Sequence, residues 1–291
     1  INMTAEQSRG GWQEAWRAWT HPQTITMLFL GFSAGIPILL IFSSLGLWLR
    51  EAGMERTAVT YFSWAALGYS FKFVWAPIID KFPLPGLTRW LGRRRAWLLV
   101  AQLAVISAIC WMALIDPSAS EQALSVMALA AVLLGFSSAT QDIVIDAYRI
   151  EAAEAKLQAM LSASYIAGYR IGMVVAGAGA LFLAQALGST SEVYSYQAWM
   201  WTYLCMAGVM GIGVVTTLVI SEPEGVSSES RYLHETSDYL RFLLLFALMV
   251  TALIGSYVAV GPLTTGLKES LSAWIFNAHL AAFMGEVLHL F

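Results

Sequence analysis

The stretch PQTITMLFLGFSAGIPILLIFSSLGLWL, residues 22–49, decides the class of fold. It contains no Asp, Glu, Lys or Arg. A helix needs about 20 predominantly apolar residues to cross the ~30 Å hydrocarbon layer of a bilayer. A run of this length without charge therefore predicts a transmembrane helix.

The composition of the whole chain agrees with a membrane environment. Of the 291 residues, 58% are hydrophobic and only 12% are charged, and the mean hydropathy is +0.65. A soluble domain has about 25% charged residues, because its surface must meet water. The sequence therefore predicts an integral membrane protein. Cys110 and Cys205 are isolated within apolar runs, so no disulfide framework or metal motif is indicated.

Six further segments have the length and apolarity of spans. Residues 96–115, 122–141, 193–221 and 242–267 are free of charge, and residues 58–79 and 157–187 have one interior charge each. The predicted fold is an all-α membrane protein, with a six-helix bundle at residues 22–220 and a seventh helix at 240–263. Residues 1–21 are predicted to be a cytoplasmic segment with an interfacial helix, residues 221–239 a cytoplasmic linker, and residues 264–291 a tail or a partial eighth helix. Six spans, a linker and a further span resemble the start of a major facilitator transporter.

The positive charges in the loops predict the orientation. With the N-terminus inside, the cytoplasmic segments contain eleven Lys and Arg residues and the outer segments contain three. Cytoplasmic loops carry the excess of basic residues in membrane proteins. We therefore expect a multi-pass protein with a cytoplasmic N-terminus.

Two cations lie inside predicted spans, Lys72 in the second and Arg170 in the fifth. Counting along the helix places Arg170 roughly 18 to 20 Å into the membrane. A charge at that depth needs a partner and marks a functional site by default. The partner of Arg170 is predicted to be either Asp142 or a carboxylate of the cargo. Lys72 is likewise predicted either to bind substrate or to form a structural ion pair.

The string FSSATQDIVIDAYRIE, residues 136–151, predicts a second group of functional residues. Asp142 and Asp146 are four residues apart and share a helix face, and Gln141 is adjacent. A carboxyl group buried there could take up a proton on one side and release it on the other. The alternative is a structural salt bridge near the cytoplasmic interface, to Arg149 or to residues 93–95.

The loop after the second span resembles the signature that major facilitator proteins have at this position. It places an acid at a helix end ahead of a glycine and a basic cluster. The sequence predicts a cytoplasmic gate whose ion pairs hold one access state, and the alternative is plain anchoring of the helix by positive charge. The candidate gate residues are Asp80, Gly92, Arg93, Arg94, Arg95 and Arg149.

Five strings of the chain are distinctive when taken together: LGFSAGIP, FKFVWAPIID, GRRRAWLL, SATQDIVIDAYRIE and AGYRIGM. Through them the chain resembles the AmpG family of muropeptide permeases, which is related to acetyl-coenzyme A transporters. The resemblance runs from about Gln23 to Pro223. Gly31 and Tyr169 lie in these strings and join Arg170, Lys72 and Gln141 as candidate substrate-binding residues.

The resemblance implies import of N-acetylglucosaminyl-1,6-anhydro-N-acetylmuramyl peptides from the periplasm across the bacterial inner membrane. It also implies that the proton gradient supplies the energy, that no cofactor is needed, and that the recycled cargo feeds β-lactamase induction. The partners are then the lipid bilayer and the muropeptide, with no nucleic acid. Family members have twelve or more spans, so we expect an N-terminal portion that needs a second half.

Three alternatives follow from the same residues. The first is a transporter of another anionic solute, such as acetyl-coenzyme A. The second is a truncated or frame-shifted membrane protein that does not transport and whose charges are structural. The third, a membrane enzyme, is disfavoured because no nucleophile with a base and no metal-ligand spacing stands out within the spans.

Overall fold

We describe the protein from a computed structural model. It describes residues 19–54, 65–152, 157–190 and 192–223, together with six positions between 240 and 251. The chain divides into two compact units, residues 1–228 and 229–291. In the second unit the six described positions are helical and exposed.

The described part of the first unit is built from helices. Their bounds are α1 Pro22–Leu39, α2 Leu45–Glu51, α3 Ala65–Lys81, α4 Leu87–Leu91, α5 Arg93–Ala113, α6 Glu121–Ala152, α7 Gln158–Val174, α8 Ala180–Ala186 and α9 Tyr196–Val219. Short π-helical turns, Leu40–Ser44 and Val175–Gly179, join α1 to α2 and α7 to α8. Two continuous rods result, Pro22–Glu51 and Gln158–Ala186.

The predicted spans are confirmed where the structure describes them. Five helical rods are long and apolar enough to cross a membrane, and they coincide with the first, third, fourth, fifth and sixth predicted spans. The second span is described from Ala65 onward, as the 17-residue helix α3. Most of the predicted seventh helix and all of residues 1–18 and 264–291 lie outside the described residues. The chain is an all-α membrane protein.

The rods pack side by side in an order that differs from their order in the chain. Helix α3 packs on α6, α6 on α5, α5 on α9, α9 on α1, and α1 on α7, while α1 also contacts α6. This order brings polar residues of α3, α6 and α7 together. It also leaves α1 and α9 side by side.

Close packing of α1 on α7 depends on glycine. A Cβ at Gly31 would overlap the carbonyl of Tyr165, and one at Gly35 would overlap the carbonyl of Tyr169. Gly168 and Gly172 meet the backbone of α1 in the same way, at Leu28 and Phe32. Small residues four apart let helices in a membrane approach until their backbones touch. Gly168 and Gly172 form such a pair on α7.

We expect Gly35→Ala and Gly46→Ala to have opposite effects on stability. Gly46 lies in the same rod, but nothing lies within 4 Å of a Cβ there, whereas Gly35 faces backbone atoms that cannot rotate away. Overpacking costs about 1–3 kcal/mol, while alanine in an open helix position gains about 0.5–1 kcal/mol over glycine. Thermal unfolding of the purified chain in detergent measures both. A Gly35→Ala protein as stable as the wild type would contradict this packing.

The two π-helical turns lie against each other. The Ser44 hydroxyl of the first turn donates to the carbonyl of Ala176 in the second at 2.8 Å. The Leu40 carbonyl accepts from the backbone amide of Leu45 and also from the Tyr203 hydroxyl of α9, at 2.9 Å. These bonds join the two rods to each other and to α9.

One end of the bundle, which we call the Glu51 end, is held by aromatic side chains. The rings of Trp48 and Trp199 stack with centroids 5.7 Å apart, and the Trp199 indole donates to the Glu51 carboxylate at 2.7 Å. The Tyr194 hydroxyl donates to the Asp116 carboxylate at 2.9 Å. Burial raises the pKa of Tyr194 above its ordinary value, and the neighbouring carboxylate acts in the same direction.

Candidate functional site

The intramembrane charges meet around Asp142. Its Oδ2 lies 4.0 Å from the Lys72 Nζ of α3, and its Oδ1 accepts a hydrogen bond from the Tyr165 hydroxyl of α7 at 3.4 Å. Asp142 is 8% exposed, whereas the Lys72 side chain is 37% exposed. The packing of α3 and α7 beside α6 brings these residues together from three segments of the chain. The result is an ion pair with one buried and one accessible member.

Helix α6 is longer than the predicted fourth span. The sequence predicted a span over residues 122–141 and placed Asp142 near the cytoplasmic interface. Helix α6 begins at Glu121 and continues to Ala152, ten residues or about 15 Å beyond Asp142. Asp142 is buried between helices, and its depth in the membrane stays a prediction.

Asp142 does not contact the alternative partners predicted for it, Arg149 and residues 93–95. Arg149 contacts Asp146 at 3.3 Å instead, and also donates to the Ser162 hydroxyl. These two residues are three positions apart on α6, where side chains are neighbours. The Asp146 side chain is about half exposed, unlike that of Asp142. Asp142 and Asp146 share a helix but not an environment.

Arg170 lies on α7 next to Tyr169, whose ring is 5.9 Å from that of Tyr165. Arg170 is exposed and forms no ion pair with any acid in the part of the chain that the structure describes. The predicted pairing with Asp142 is therefore not observed, because Asp142 faces Lys72. Binding of a cargo carboxylate by Arg170 stays a prediction.

Two other predicted substrate-binding residues lie in helix contacts. Gln141 is fully buried, and its Nε2 donates to the Ser33 hydroxyl of α1 at 3.0 Å. Gly31 packs directly against the backbone carbonyl of Tyr165, which leaves no room for a side chain. Both positions hold α1 in place beside the Asp142 group. Neither presents an atom to a ligand in this conformation.

The predicted gate residues form a cluster at the other end of the bundle, which we call the Arg94 end. The buried Arg94 guanidinium reaches Asp80 of α3 at 2.5 Å and Glu151 of α6 at 2.5 Å and 2.9 Å. Arg93 donates to the Asp80 carbonyl at 2.6 Å. Plain anchoring by positive charge would leave these arginines in solvent. Arg149 does not join the cluster, because it contacts Asp146.

Gly92 and Glu222 start helix α5. Gly92 has a φ of +87°, which favours glycine, and a Cβ there would overlap the Glu222 side chain. The Glu222 carboxylate accepts hydrogen bonds from the backbone amides of Arg94 at 2.7 Å and Arg95 at 3.1 Å. A carboxylate at a helix N-terminus satisfies free amides and complements the helix dipole. Gly92 is thus needed so that the residues after α9 can cap α5.

Sequence reasoning missed three residues of these two groups: Tyr165, Glu151 and Glu222. Tyr165 is four residues before Tyr169 and so shares its helix face. Glu151 ends the distinctive string of α6, and its contact with Arg94 depends on the full length of that helix. Glu222 stands in a polar segment with no local pattern to distinguish it. Among the described residues, no three His, Cys, Asp or Glu side chains are placed to hold a metal ion.

The chain matches a known family over most of the segment just described. The family model described as "Acetyl-coenzyme A transporter 1" matches residues 23–240. The chain belongs to this family. The match includes both the Asp142 group and the Arg94 cluster, and it ends close to the start of the second unit.

Related proteins are named transporters and permeases rather than enzymes, as the sequence predicted. The chain is 35% identical to putative transporter AmpG 4 of Rickettsia felis over 198 residues, which are 68% of this chain and 45% of that protein. It is 34% identical to putative transporter AmpG 4 of Rickettsia conorii, over 72% of this chain and 48% of that protein. It is 33% identical to the anhydromuropeptide permease of Escherichia coli K12, over 71% of this chain and 39% of that protein. The chain thus spans less than half the length of these relatives.

Proposed function

We propose that the chain forms the N-terminal half of a transporter that imports anhydromuropeptides from the periplasm to the cytoplasm with the proton gradient. The observation that carries the proposal is the ion pair between the accessible Lys72 and the buried Asp142. Arg170 supplies a second exposed cation on α7, the helix whose Tyr165 contacts Asp142. Together they provide two accessible cations for the carboxylates of the cargo and one buried carboxyl for the proton. The similarity to the E. coli anhydromuropeptide permease supports this cargo. Transporters of this type bind substrate between two halves.

The ion pair between Lys72 and Asp142 suggests how proton and cargo are coupled. When Asp142 is ionised, it attracts Lys72 and competes with any carboxylate of the cargo. Protonation of Asp142 removes this competition, so Lys72 becomes available to the cargo together with Arg170. Release of the proton restores the ion pair and weakens the hold on the cargo. Each step changes the charge of one described residue, and none needs a cofactor.

The Arg94 cluster is proposed to act as the cytoplasmic gate. Arg94 joins α3 to α6, and Glu222 joins the residues after α9 to α5. Ion pairs between helices hold one arrangement of the bundle and must break or move with it if the arrangement changes. Arg149 is not part of this proposed gate.

The N-terminus is proposed to be cytoplasmic, which places the Arg94 end inside and the Glu51 end outside. The support is the excess of basic residues in the segments at the Arg94 end. A reporter that is active only in the periplasm should be active when fused after Ser118 and silent when fused after Gly86. The opposite pattern would reverse the direction of transport in the proposal.

The experiment for the cargo uses a hybrid transporter, in which residues 1–228 are joined to the second half of the E. coli anhydromuropeptide permease. Cells without their own permease and expressing the hybrid should take up labelled anhydromuropeptide, and a protonophore should abolish uptake. Excess unlabelled muropeptide should compete, and excess acetyl-coenzyme A should not. Competition by acetyl-coenzyme A alone would favour the other solute that the family description names. A correctly inserted hybrid that takes up neither would favour a non-transporting membrane protein.

A further inference from the structure

An apolar groove of about 680 Å³ runs between α1 and α9, on a face that neither the Asp142 group nor the Arg94 cluster uses. Ile25 and Phe29 form its α1 side, and Gly208, Gly211 and Val215 lie on its α9 side. The groove contains no charged residue among those that line it, and the hydroxyl of Thr216 is satisfied by the carbonyl of Ile212 at 2.7 Å. Its lining is mostly apolar, with Thr26 and Thr216 as the polar members.

The glycines explain why the groove exists. A Cβ at Gly208 or at Gly211 would have no atom within 4 Å, whereas one at Gly213, on the neighbouring face of α9, would overlap Ser33 of α1. The α9 helix thus packs tightly on α1 through Gly213 and leaves open space beside Gly208 and Gly211. The lining residues come from the start of α1 and from the C-terminal half of α9. The groove therefore lies nearer to the Arg94 end than to the Glu51 end.

A cation lies beside the end of the groove. The guanidinium of Arg95 donates to the carbonyls of Thr217 at 2.9 Å and Leu218 at 2.7 Å, and Thr216, Val219 and Ile220 next to them line the groove. These bonds hold Arg95 at the C-terminal end of α9, where the helix leaves the apolar layer. A negatively charged group near this end would be attracted to it.

We propose that the groove binds one anionic phospholipid, with an acyl chain between α1 and α9 and the phosphate headgroup near Arg95. The helices that form the groove cross the bilayer, so the molecules that surround the groove are lipids. The apolar lining fits an acyl chain, and Arg95 complements the charge of the headgroup. Lys72 on α3 and Arg170 on α7 are accessible cations, and a face with such charges is unsuitable for contact with lipid. A second half of the transporter is expected there and not at the groove.

Native mass spectrometry of the purified 291-residue chain tests the proposal without any need for transport. The chain is mixed with equal amounts of palmitoyl-oleoyl phosphatidylglycerol and phosphatidylethanolamine. The wild type should retain one phosphatidylglycerol molecule, preferred by about fivefold, which is the effect of one basic residue at a membrane surface. Arg95→Gln should abolish the preference between headgroups while leaving some binding of either lipid.

Gly211→Leu should lower lipid binding by roughly tenfold, because the leucine side chain would displace about two methylene groups of the acyl chain from the groove. The added side chain enters open space, so this variant should fold normally, and circular dichroism checks that it does. Gly46→Leu is the matched control, because Gly46 also faces open space but lies away from this groove. Equal lipid retention by wild type and Gly211→Leu would overturn the proposal. A wild type that retains no lipid would also overturn it. A wild-type dimer that Gly211→Leu disrupts would overturn it too, because a second copy of the chain would then occupy the groove.

Discussion

Replacing Arg170 by alanine should lower anhydromuropeptide uptake by the hybrid transporter by roughly 10- to 150-fold, while the amount of protein in the membrane stays the same. A hydrogen bond to a charged group contributes about 1.5–3 kcal/mol, and each 1.4 kcal/mol is tenfold in binding. Because Arg170 is exposed and forms no ion pair with a described acid, its loss leaves no carboxylate unpaired in the described part of the bundle. The expected loss is therefore one of cargo binding rather than of folding.

Two further variants separate cargo binding from a structural role of Arg170. Arg170→Lys should recover only part of the uptake, because a guanidinium can hold a carboxylate in two places and an ammonium cannot. Removing Asp142 together with Arg170 should not restore uptake, since Asp142 faces Lys72 and not Arg170. Arg89→Ala is the control, an exposed arginine at the Arg94 end. Normal uptake by Arg170→Ala, or by the double variant alone, would contradict the role assigned to Arg170.

Replacing Arg94 by glutamine should destabilise the purified chain by about 3 kcal/mol. The Arg94 side chain is 6% exposed and is the common partner of Asp80 and Glu151. Removing one member of a buried ion pair costs about 3–5 kcal/mol, because the other charge remains unpaired. The lower value is expected here, since the Asp80 side chain is about half exposed to solvent. For a chain of this size the melting temperature should fall by roughly 6–12 °C.

The matched control for Arg94 is Arg89→Gln, which changes an exposed arginine of the short helix α4. A surface substitution of this kind usually changes stability by less than about 0.5 kcal/mol. Thermal unfolding in detergent, followed by circular dichroism, compares the two variants. If the basic cluster only anchors the helices by its positive charge, both variants should behave alike. Equal melting temperatures would therefore support anchoring and contradict the gate.

The spans could be predicted from the sequence because lipid excludes charge from long apolar runs. The third to sixth predicted spans agree with the helices to within a few residues at most ends. The exception is α6, which continues eleven residues past Gln141, the predicted end of the span. Charges end an apolar run without ending the helix, and Asp142, Asp146, Arg149 and Glu151 each have a partner among the described residues.

The pairing of charges could not be predicted, because it depends on which helices are neighbours and how each is rotated. Lys72 was predicted to meet either an acid of the chain or the cargo, and only the packing of α3 on α6 assigns it to Asp142. Asp80 and the arginines were correctly grouped, whereas Arg149 was wrongly included with them. Glu222 caps helix α5 through the amide of Arg94, which lies 128 positions earlier in the sequence. Local patterns contain no information on contacts of this range.

Accumulation of cargo in proteoliposomes shows directly whether Asp142 couples the proton to the cargo. The hybrid transporter and its Asp142→Asn and Asp146→Asn variants are reconstituted, and a pH gradient, acid outside, is imposed. The unaltered hybrid and Asp146→Asn should concentrate labelled anhydromuropeptide, because Asp146 is half exposed and pairs with Arg149 on its own helix. Asp142→Asn should exchange labelled for unlabelled cargo without concentrating it, since asparagine cannot carry a proton. Concentration of the cargo by Asp142→Asn to the level of the unaltered hybrid would contradict the role of Asp142 in proton coupling.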